Sequence, residues 1–148
     1  MIPLMERVLS IKERALGADH ADVAKAMANV AALYQNGGRY EAAERLYKRA
    51  MDIRTKTLGA GHPFVANEMF NLGVLYMKQG RYSESESMLN AALEIMEKSL
   101  GAGHANVLAV LEKLAKLYRT TNSPSNAVKV EQRIRQIQGV EMGPMRAR

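Results

Sequence analysis

Apolar positions in this chain recur with the step of an α-helix, and the whole pattern then recurs every 42 residues. Val65, Met69, Leu72 and Tyr76 are separated by four, three and four positions, which places them on one helix face. Tyr40, Ala43, Leu46, Ala50 and Ile53 do the same in the segment before them. At the 42-residue step Val23, Val65 and Val107 coincide, as do Met27, Met69 and Leu111. Leu33, Leu75 and Leu117 follow suit, each with a tyrosine next to it: Tyr34, Tyr76 and Tyr118. Val8 and Ile11 fall in register with Ala50 and Ile53, so the chain enters the pattern in the second half of a unit.

Between the periodic stretches stand regular breaks. Leu16-Gly17-Ala18-Asp19-His20 returns as Leu58-Gly59-Ala60-Gly61-His62 and as Leu100-Gly101-Ala102-Gly103-His104. The glycine reads as a helix stop behind a last apolar anchor, and His62-Pro63 as a restart. Inside each unit Gly37-Gly38 and Gly80, each followed by Arg-Tyr, read as the turn of a helical hairpin. In the third unit Asn122 replaces the glycine, and Ser123-Pro124 reads as an N-cap and first helical residue.

The spacing predicts helices over roughly 3–16, 21–36, 39–57, 63–79, 81–99, 105–121 and 124–138, with a flexible tail over 139–148. Self-similarity at one fixed period marks a solenoid, whose units bury their apolar faces only against their neighbours. The expected fold is all-α, a right-handed α-solenoid superhelix of three antiparallel helix pairs behind one leading helix. Ala50 and Ala92 should be buried where a pair closes. The leading helix, carrying Leu4, Val8, Ile11 and Leu16, should keep part of an apolar face open and favour self-association.

Asn71-Leu72-Gly73-x-x-Tyr76, then Gly80-x-Tyr82 and Ala92, resembles the tetratricopeptide repeat, as does Tyr34…Gly38-x-Tyr40-x-x-Ala43…Ala50. The 42-residue period and the long second helix ending in Leu-Gly-x-x-His resemble the subtype of kinesin light chains and related bacterial proteins. On that resemblance the array covers 1–138, with a half repeat at 3–20 and repeats at 21–62, 63–104 and 105–138. The third repeat departs at Asn122, Pro124, Lys113 and Glu131, as a terminal repeat does.

The resemblance implies that the first helix of each pair lines a concave groove holding an extended peptide. Lys25, Asn29, Ala32 and Asn36 would line it in the first repeat, and Asn67, Phe70, Asn71, Val74 and Lys78 in the second. The third would contribute Lys113, Lys116 and Arg119. An Asn amide offers donor and acceptor to a peptide backbone, and Lys or Arg neutralises acidic side chains.

Composition narrows the chemistry. The 148 residues are 47% apolar with only four Pro and no Trp, a makeup suited to packed helices. Without Cys there are no disulfides, thiolate nucleophiles or Cys-based zinc sites. No apolar run reaches the ~20 residues of a membrane span, and a reducing, cytoplasmic location is expected. The net charge of +6 can attract acidic peptides, nucleic acid or an anionic surface.

The evenly spaced His20, His62 and His104 stack about 8–10 Å apart in successive repeats, whereas metal ligands must converge within about 2 Å of one ion. They are expected to bond near helix starts, with no metal or cofactor. Gly59-Ala60-Gly61 follows no strand and precedes no Gly-Lys-Ser/Thr, so it is no phosphate loop. The tyrosines are expected in helix packing, not in base stacking, and no catalytic constellation stands out. An adaptor or scaffold for an extended, net acidic segment is the expected function, and an enzyme is not. A self-associating assembly module is the alternative, and nucleic-acid binding through the basic C-terminal helices is a weaker one.

Overall fold

Each break in the pattern becomes a helix boundary. The computed structural model describes residues 2–17 and 19–139, and among them the chain forms seven helices and no strand. They are α1 (Ile2–Leu16), α2 (Ala21–Asn36), α3 (Tyr40–Leu58), α4 (Pro63–Lys78), α5 (Tyr82–Leu100), α6 (Ala105–Thr120) and α7 (Pro124–Gln138). Every boundary falls within one residue of its predicted place. The tail expected from 139 onward lies, beyond Gly139, outside the described residues.

Gly17, Gly59 and Gly101 all take φ between 93° and 96°, a conformation that side chains resist, and each ends a helix by donating its N–H four residues back. Three residues later a histidine closes the turn, its N–H on the glycine carbonyl. Its Nδ1 then accepts from the N–H of the second residue of the next helix: Asp22 for His20, Phe64 for His62 and Asn106 for His104, each at 3.0 Å. The histidines are N-caps. Asn122 holds φ 57° where Gly38 and Gly80 hold 80° and 77°, a substitution that asparagine makes more readily than most residues.

Two local expectations fail. Ser123 occupies the N-cap position of α7, but its hydroxyl makes no cap bond and instead meets Thr121 Oγ1 at 3.3 Å. Leu58 is exposed instead of anchoring its helix end.

Helices α2/α3, α4/α5 and α6/α7 pack as hairpins, and α1, α3 and α5 also pack on the helix that follows them. First helices of neighbouring pairs meet where α4 touches α6. Ala50 and Ala92 are fully buried, which allows the close approach. Approach is also close at Gly73, where an added Cβ would lie 2.8 Å from the Leu89 side chain. The Gly73 carbonyl receives the Ser85 hydroxyl at 2.7 Å, a buried bond between the two helices of one pair. Tyr34, Tyr76 and Tyr118 are buried; Tyr76 Oη donates to Glu44 at 2.8 Å and Tyr118 Oη to Glu86 at 2.7 Å, each carboxylate belonging to the preceding pair.

Candidate ligand-binding face

On α2, Lys25, Asn29 and Asn36 are exposed and Ala32 is half-buried. On α4, Asn67, Phe70, Asn71 and Val74 are half-buried and Lys78 is exposed; on α6, Lys113 is half-buried while Lys116 and Arg119 are exposed. None belongs to the buried core. The face left free by helical periodicity is therefore the one the resemblance selects.

Two clefts gather part of this set. Between α4 and α6 a cleft of about 200 Å³ is lined by the apolar or aromatic side chains Val74, Met77 and Tyr82 and by Lys78, Lys113, Lys116 and Thr120. Among the described residues none of these three lysines has a carboxylate within 4.0 Å. The cleft thus gathers three cations without a direct ion-pair partner among the described residues beside apolar side chains. A second cleft of about 470 Å³ lies between α6 and α7, lined by Glu112, Ala115, Lys116, Arg119, Glu131, Ile134 and Arg135. There Arg119 is ion-paired with Glu131, so its charge is largely answered within the chain. Lys25, Asn29 and Asn36 of α2 and Asn67, Phe70 and Asn71 of α4 border neither cleft.

Asn71 departs from its expected freedom. Its amide donates to Glu68 Oε1 at 3.3 Å, and Glu68 is only 2% exposed. Glu68 Oε2 lies 3.1 Å from Arg54 Nε across the α3–α4 joint, and the Arg54 guanidinium stacks 5.0 Å from the Phe64 ring centroid. Burial raises the Glu68 carboxyl above the ordinary carboxylate value, more than Arg54 and Asn71 lower it. Burial, with Glu68 nearby, also pushes the Tyr47 phenol up to about 12. Nothing in the resemblance points to this pair. Its one signal in the sequence is the 42-residue register, where Glu68 interrupts Ala26 and Val110.

A second charged knot ties the repeats together at Glu44. It accepts from Tyr76 and pairs with Lys48 and Arg81, both at 2.9 Å, and Arg81 lies over the Tyr76 ring at 4.3 Å. Burial alone would raise the Glu44 carboxyl, but hydrogen bonds from Lys48, Arg81 and Tyr76 outweigh it and hold it at about 2. Among the described residues no three His, Asp or Glu side chains converge as metal ligands would, and no helix is long and apolar enough to cross a membrane.

A tetratricopeptide repeat family model matches residues 65–138, and a second tetratricopeptide repeat model matches 2–22 and 23–64. Among curated proteins no sequence matches significantly. Among solved structures, BtubC (BKLC) from P. vanneervenii superposes with a TM-score of 0.86 at 21% identity, over 96% of this chain and 57% of that one. A kinesin light chain protein of Podosopora anserina with nearly identical TPR-like repeats gives 0.81 at 26% identity, as does a point variant of it, over 93% of this chain and 65% of each. The chain thus spans less than two thirds of the length of these solved proteins. Helix pairs, the 42-residue register and both family matches agree, and the chain belongs to the tetratricopeptide repeat family, with structural neighbours of the kinesin light chain type.

Proposed function

We propose that this chain is a protein–protein interaction scaffold that holds an extended, acidic peptide segment of a partner along the face formed by α2, α4 and α6. The observation that carries the reading is the α4–α6 cleft. Three lysines without carboxylate partners among the described residues line it together with Val74, Met77 and Tyr82, on the face that packing leaves free. Bringing those charges together costs folding energy unless a ligand neutralises them, and an acidic peptide supplies both the charge and the apolar contact. Asn29, exposed on α2 in register with Asn71, is suited to hold the peptide backbone.

Arg119 plays a smaller part than its position in the sequence implies, because Glu131 already occupies it. Asn71 has a divided role, with one amide hydrogen committed to Glu68. Enrichment of a random peptide library on the intact chain tests the reading. Selected peptides should be acidic, and the Lys113→Glu/Lys116→Glu variant should lose that selection. Equal enrichment of neutral and acidic sequences would refute it.

A further inference from the structure

The open side of α1 carries Leu4 and Ile11, 60% and 61% exposed, with half-buried Val8 between them. At helical spacing these form one stripe, bordered on one edge by exposed Arg7 and Arg14 and on the other by Lys12. Glu6 lies on the opposite side of the helix, and Glu13 is engaged by Arg49.

The repeat register says what this basic frame lacks. Arg7 stands where Arg49 and Arg133 stand in later repeats, and each of those reaches a glutamate on the preceding second helix, Glu13 and Glu97 respectively. Between them, Ala91 and Thr55 hold the same two registers and are both uncharged, so the cation and its carboxylate come and go together. Arg14 stands where Lys56 stands, and Lys56 lies 3.8 Å from Asp19 of the preceding turn. In all three pairs the carboxylate is delivered by the preceding unit. Among the described residues Arg7, Lys12 and Arg14 have none.

A second copy of the chain fits poorly. Pairing α1 with itself would set arginine and lysine borders against one another. Stacking the far end of another copy on α1 would offer Gly139 at the register of Glu13 and Glu97. That far end is also polar: Lys116, Glu131 and Arg135 stand where the apolar Val74, Leu89 and Leu93 stand one repeat earlier. We infer that α1 is a docking surface for an amphipathic helix whose apolar stripe is bordered by Asp or Glu. This site lies apart from the α4–α6 cleft and does not depend on it.

Two synthetic peptides of about 20 residues, long enough to be helical, test the inference. They share one Leu/Ala stripe, bordered by Glu in one and by Lys in the other. Fluorescence anisotropy with the full chain should show the Glu-bordered peptide binding about tenfold or more tightly than the Lys-bordered one. Arg7→Glu/Arg14→Glu should reverse that order, and Ile11→Asp should abolish binding of both. Circular dichroism should show each variant as helical as the parent, and Lys113→Glu/Lys116→Glu should leave the preference unchanged. Equal binding of the two peptides, binding of neither, or sedimentation of the chain as a dimer that Ile11→Asp dissociates would overturn it.

Discussion

Arg54 and Glu68 face each other across the α3–α4 joint, Nε 3.1 Å from Oε2, in a place where the next repeat puts apolar side chains. Met96 occupies the register of Arg54 one repeat later, and Val110 that of Glu68. Removing one partner of a buried pair strands the other charge, at a cost of about 3–5 kcal/mol, whereas replacing both with fitted apolar groups is often neutral or better. Arg54→Met alone should therefore destabilise the fold by about that amount. Arg54→Met/Glu68→Val should recover most of the loss. Urea denaturation of the two variants checks this, and equal losses in both would show that the pair itself stabilises.

Acid should loosen the Glu44 knot. Its folded carboxyl, held near 2, lies below the ordinary value of 4.5, so its contribution to stability is complete above pH 4.5 and is lost as pH falls toward 2. Glu68, raised by burial, acts in the opposite sense and gains relative to the unfolded chain as the pH drops. The two are separated by comparison with Glu44→Gln. The difference in melting temperature between parent and variant should be largest near neutrality and shrink below pH 4.5. A constant difference down to pH 2 would contradict the assignment.

Gly73→Ala should be harmful although alanine favours a helix by about 1 kcal/mol. The added methyl would meet fully buried Leu89 at 2.8 Å, and overpacking of that kind costs about 1–3 kcal/mol. Ala31 and Ala115 already occupy this register elsewhere, with Tyr47 and Glu131 at the register of Leu89. Chemical denaturation should find a net loss, and a gain in stability would mean that Leu89 swings aside freely.

Much of this fold can be read from the chain because repetition converts weak local signals into strong ones. Gly59 alone is an ambiguous stop, but Gly17, Gly59 and Gly101 at one spacing fix three boundaries. The Tyr76–Glu44 and Tyr118–Glu86 bonds are not legible, because their partners lie 32 residues apart in sequence, on different helices. Glu68 is hidden for a different reason: a helix wheel sorts residues by angle and cannot tell that a charge at the edge of a stripe finds Arg54 beside it. The candidate lysines are legible as polar positions, but the capture of Arg119 by Glu131 depends on the packing of α7 against α6.

His62→Ala should cost about 0.5–2 kcal/mol, the loss of an N-cap, and His62→Asn should cost much less because its side-chain oxygen can take the Phe64 N–H. Thermal melts of both variants decide the matter. Equal losses would assign the effect to the His62–Phe64 ring contact at 4.9 Å instead of the cap.

The lysine cleft between α4 and α6 is tested most directly by titrating one acidic peptide into the parent chain and into Lys113→Glu/Lys116→Glu at several salt concentrations. The parent should bind it, with affinity falling as salt rises. The reversed variant, equally folded, should lose at least about tenfold in affinity and most of the salt dependence. Unchanged affinity in the reversed variant would contradict the proposed role of the cleft.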